Sequence, residues 1–209
     1  MTSNIYLQKY SQFFSQGQSE LELRQQLKTS GVDSRRLSKF TQLCLLGALP
    51  LKPYINPNTA IYLASPFNSP SKFNKLFSQL MEQDLPSPLD FMANLNNAAV
   101  FQIAQQFGII GNSLFLTTTL QDVKQPLELA TLDLMRGDAP QVLVGWGFES
   151  AHLSEWEGSC WGLLGINLPK SPTQPSAVEN SANFYRATSS SLPKEHYLQF
   201  GANIRNLIG

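Results

Sequence analysis

The sequence predicts an α/β fold: a mixed sheet of roughly five strands with helices on both faces. Three observations carry this. Short runs rich in apolar and β-branched residues alternate along the chain with stretches of helical periodicity. Glycine and proline fall between these runs rather than inside them. The stretch from Asn94 to Phe148 parses as helix, strand, helix, strand, and its last three elements form a βαβ unit whose connection should be right-handed.

Taken in order, Asn4 to Lys9 (NIYLQK) reads as a first strand, followed by a polar stretch in which Glu20 to Lys28 is helical. Asp33 or Ser34 is then placed to cap a helix carrying Leu37, Phe40, Cys44, Leu45 and Ala48 on one face, with Pro50 and Pro53 stopping it. Thr59 to Ala64 (TAIYLA) is a buried strand between Pro57 and Pro66. Ser71 to Glu82 is an amphipathic helix on Phe73, Leu76, Phe77 and Leu80. Pro86 and Pro88 impose an extended connection. In the next helix Val100, Ile103, Ala104 and Phe107 form one stripe, and Gly108 and Gly111 supply the left-handed backbone at its end. Ser113 to Thr119 (SLFLTTT) fits a buried strand. Asp122 can cap a helix that buries Val123, Leu127, Ala130 and Leu134 and ends at Arg136-Gly137. Gln141 to Val144 is a strand parallel to the one before it, and Cys160 to Leu168 is the second strand of a hairpin. Residues 1–168 thus form one domain. The segment 169–209, rich in proline and serine, reads as a linker and tail.

Composition limits the function classes. Fifteen basic and fifteen acidic side chains cancel, so no long-range field points to nucleic acid or an anionic membrane. Only 14% of residues are charged, against about 25% in an average soluble domain. A chain so sparsely charged favours a partner that covers apolar surface. The two cysteines fit a reducing compartment. No segment reads as a leader or reaches transmembrane length, so the expected location is cytoplasmic, without membrane association.

The search for chemistry is largely negative. GSCWG at 158–162 echoes the sequence around a cysteine-protease nucleophile, but the residues after Cys160 read as a strand, and a structural thiol is the stronger reading. His152 lies eight residues before Cys160, so a Cys160–His152 pair across the hairpin is the alternative, that of a cysteine hydrolase or acyltransferase. Two histidines and two scattered cysteines give no metal-ligand spacing, and no cofactor is implied. Gly145-Trp146-Gly147 lacks the remaining glycine and following helix of a phosphate loop.

Several strings, in order, resemble one family. Ser34 to Phe40 leading into the Cys44 helix, the Thr59–Ser65 strand, Asn97-Ala98-Ala99 with Phe107-Gly108-Ile109 and Gly111-Asn112-Ser113, and Arg136-Gly137-Asp138 before Val142 to Gly145 are similar to the N-terminal half of β-ketoacyl synthases. That is the thiolase-like superfamily, and the resemblance is strongest to chain-length-factor-like and aryl-polyene cluster components. The resemblance implies a thiolase-like half-fold. In active members the strand after the glycine turn ends in Thr-Ala-Cys; here Thr118, Thr119 and Leu120 stand at those positions. Leucine has no lone pair to attack a thioester, and Thr119 has no base nearby in sequence. The family's histidines and lysine belong to a second half with no counterpart in this sequence. The resemblance therefore implies a non-catalytic subunit in fatty-acid or polyketide-type biosynthesis. Its expected partner is a β-ketoacyl synthase in a heterodimer, with an acyl-carrier protein as a further partner. In the family the strand at Leu114, Phe115, Leu116 and Thr117 lies at the subunit interface, and here it is strongly apolar.

Overall fold

The computed structural model describes residues 5–84, 87–118, 125–150 and 156–166. Five strands form one mixed sheet in the order β1-β5-β4-β2-β3. They are β1 (Tyr6–Gln16), β2 (Ala60–Ser65), β3 (Ser113–Thr117), β4 (Gln141–Phe148) and β5 (Trp156–Gly165). β2 lies parallel to both β3 and β4, while β5 runs antiparallel to β4 and to β1. The helices are α1 (Glu20–Thr29), α2 (Lys39–Ala48), α3 (Pro70–Gln83), α4 (Pro88–Ala93), α5 (Ala98–Phe107) and α6 (Gln125–Arg136).

The sheet is buried on both faces because its central strand β2 is apolar at every position but its last, Ser65. Along β2, Ile61 and Leu63 point into one core with Phe40, Cys44, Val100, Ile103 and Trp161. Ala60, Tyr62 and Ala64 point into the other, with Leu127, Ala130, Leu134 and Trp146. That is the pattern of a parallel strand covered by helices on each side. α2 packs over β5 and β1, with α5 beside it, and α6 packs over β4 and β2. The glycines flanking Trp146 are dents in β4. A Cβ at Gly145 would collide with the Trp161 ring, and one at Gly147 would press on Cys44 Sγ and Phe40.

Several sequence expectations are corrected. β1 continues to Gln16 instead of stopping at Lys9, because all but one residue of Tyr6–Gln16 pairs across to β5. α2 begins at Lys39, capped by Ser38 Oγ, which accepts from Thr41 N at 3.2 Å. Asp33 instead holds a local turn by accepting from Arg35 N at 3.2 Å. The α-helix ends at Ala48, before Pro50 as expected, but the chain continues as a 3₁₀ segment, Leu49–Tyr54, with Pro50 in its first turn, where a missing N–H costs nothing. Pro88 opens α4, where its missing N–H costs nothing. Gly108 is left-handed at φ 69°. Gly111 is not; it is needed because a Cβ there would strike the Thr59 carbonyl. β3 is no inner strand. It lies at the sheet edge, and β4, although parallel, is separated from it by β2. Asp122, Val123 and the segment 169–209 lie outside the described residues.

Candidate functional site

β3 is a strand of SLFLT paired on one side only. Its register with β2 runs from Ile61↔Ser113 to Ser65↔Thr117, and among the described residues nothing pairs with its other side. Phe115 turns inward and meets the edge of the Phe40 ring at 6.1 Å. Leu116 packs against the α6-side core. Leu114 is 46% exposed, and Thr117 is exposed as well. Ile110, 79% exposed, lies three residues before the strand, and Phe101, also exposed, lines a groove with Ser113 at its start. An apolar edge with open backbone donors and acceptors is a template for another strand.

At the carboxyl end of β3, Thr118 donates its backbone N–H to the Ser65 carbonyl at 3.1 Å. Its hydroxyl is buried without a partner among the described residues. Thr119 and Leu120, which the sequence resemblance sets at the alanine and cysteine of Thr-Ala-Cys, lie outside the described residues, as does His152. Cys160 sits mid-strand in β5, opposite Gln12 of β1 and Trp146 of β4. It is fully buried, and burial pushes its thiol up, away from the thiolate that attack requires. Among the described residues no group of His, Cys, Asp and Glu could hold a metal ion.

Three charged features carry almost no signal in the sequence. Glu149, the residue after β4, is wholly buried; it accepts from Ser69 Oγ at 2.6 Å and from Ser71 N at 3.0 Å. Its only sequence signal is a carboxylate directly after an apolar strand. Lys39 Nζ and Glu157 Oε1 form a buried ion pair at 2.6 Å. Burial raises the Glu157 carboxyl despite that partner, with Glu149 adding to the rise. A cleft of about 730 Å³ lies between α1, the turn before α2, and α3 to α5; Arg24, Arg35, Arg36, Lys72 and Lys75 line it, with Asp90 the acid among them. The even charge balance of the whole chain hides this local excess.

Five strands in this order, with β5 antiparallel between β1 and β4 and helices on both faces, make a mixed α/β sheet. No protein-family model and no curated protein matches the sequence. Solved structures do share the fold. One is a type II polyketide synthase assembly (AntDE:AntF) of an acyl-carrier protein with its hexaketide-bound ketosynthase: 12% identity and TM-score 0.64 over 79% of this chain and 63% of that one. A second is the ketosynthase ApeO with its chain length factor ApeC from Xenorhabdus doucetiae: 15% identity and TM-score 0.59 over 79% and 80%. A third is the ishigamide ketosynthase/chain length factor: 10% identity and TM-score 0.61 over 99% and 82%. The chain thus spans less than two thirds of the first of these and about four fifths of the other two. At such identities the likeness is one of fold.

Proposed function

We propose that this chain is a non-catalytic, chain-length-factor-like subunit that pairs with a β-ketoacyl synthase in fatty-acid or polyketide-type biosynthesis, the aryl polyene type included. The observation that carries the reading is the open apolar edge of β3, flanked by Leu114, Phe101 and Ile110. A strand from the partner extends the sheet there and covers those side chains. Leu120 at the nucleophile position supports a role without covalent acyl transfer. Two of the structures that share the fold pair a ketosynthase with a chain length factor. The cationic cleft also favours contact with an acidic carrier protein, since surface charge of opposite sign steers docking.

Co-expression with ketosynthases encoded beside this chain tests the reading. A soluble complex is expected with one of them, and Leu114→Lys should release the partner while leaving the chain folded. A chain that stays a soluble monomer beside every candidate overturns it.

A further inference from the structure

A cavity of about 430 Å³ lies beyond the carboxyl end of β2, walled by the rings of Phe67 and Phe73 and by the side chains of Asn74, Asn94 and Asn96. In open α/β sheets the crevice outside the carboxyl ends of parallel strands is where ligands bind. This one is held in shape by buried polar residues. Asn68 at its base donates to the Asn94 and Leu95 carbonyls at 2.7 and 3.0 Å, fixing the loop that carries Asn94 and Asn96. Glu149 fixes the start of α3 through Ser69 and Ser71. The two rings are held from behind: Phe67 by Phe148 at 5.7 Å, and Phe73 by a stacked Phe77 at 6.2 Å. Asn68 Oδ1 is buried without a partner among the described residues, an acceptor left unspent beside the cavity.

The lining selects a chemistry. Aromatic faces suit a flat or conjugated group. Carboxamides donate and accept, so they suit a hydroxyl, carbonyl or amide group at one end of a lining that is otherwise mostly apolar. Among the described residues no charged side chain lines the cavity, and the Glu149 carboxylate behind Ser69 disfavours an anion.

We propose that this cavity is a binding site for a neutral, flat or conjugated group bearing a hydroxyl or amide, held between Phe67 and Phe73 with Asn74, Asn94 and Asn96 reading its polar end. The site belongs to this chain alone and goes beyond the pairing reading: ligand binding and partner capture are separate readouts, and either can fail without the other.

The test is calorimetric or NMR titration of the isolated full chain with 4-hydroxybenzamide. Hexanamide serves as the saturated control and 4-hydroxybenzoate as the anionic one. Saturable binding of 4-hydroxybenzamide is expected, tighter than either control by about tenfold, the worth of one net hydrogen bond. Asn74→Leu and Asn96→Leu change exposed side chains and should erase that preference while thermal unfolding stays unchanged. No saturable binding of 4-hydroxybenzamide, equal binding of hexanamide, tighter binding of the anion, or a preference that survives in both variants overturns the proposal.

Discussion

Lys39 and Glu157 show how much depends on single side chains. Both are nearly sealed from water and lie 2.6 Å apart. Lys39→Met strands a carboxylate in a low-dielectric site, and a loss of about 3–5 kcal/mol is expected in chemical denaturation. Lys39→Met with Glu157→Leu should recover most of it. The pair also leaves a mark on pH dependence. Burial raises the folded pKa of Glu157 above its unfolded value, so the folded state binds the proton more tightly. Its contribution is fully present below the unfolded value of about 4.3 and is lost as pH rises through the raised one. Relative to Glu157→Gln, the wild type should therefore lose stability as pH climbs across that window. Cys160 gives a second check at this scale. Its thiol is expected to resist alkylation at neutral pH until the chain is denatured, whereas fast labelling of the native protein would favour the Cys160–His152 enzyme.

β3 and α3 are the elements whose outer faces matter most. Leu114→Lys places a charge on the exposed side of β3 and should cost the isolated chain no more than about 0.5 kcal/mol, read as a shift in midpoint, while abolishing capture of a synthase. How legible each element was in the sequence follows from what its side chains meet. α5 and α6 could be placed from spacing alone because their stripes (Val100 and Ile103; Leu127, Ala130 and Leu134) lie directly on the sheet. The second half of β1 could not be, because Ser11 and Ser15 point inward and a polar inner face shows no alternation of apolar with polar. The apolar stripe on α3 follows its spacing, yet Phe73 and Phe77 are 56% and 53% exposed, because periodicity reports a face without reporting what covers it. The asparagine-lined cavity has no sequence signal at all, since its walls come from two separate segments, one ending at Asn74 and the other starting at Asn94.

For the molecule as a whole, the balance of the surface is unusual. Phe73, Phe77, Leu80 and Met81 on α3 and Leu89, Phe91 and Met92 on α4 are exposed together with Leu114 and Ile110. So much exposed apolar area marks an interaction site or an aggregation hazard. The isolated chain is expected to bind a hydrophobic dye and to self-associate as concentration rises. Addition of the right synthase should suppress both, as followed by fluorescence and light scattering. No helix among the described residues is long and apolar enough to cross a membrane. α3, which displays much of that surface, is moored at its first turn. Both oxygens of Glu149 are taken by its first residues, so lifting that end away would leave a naked carboxylate in an oily crevice. Its far end, at the left-handed Asp84, has no such tether among the described contacts. Backbone amides should therefore exchange with deuterium progressively faster from Lys75 towards Gln83, and a subunit settling on the helix would flatten that gradient.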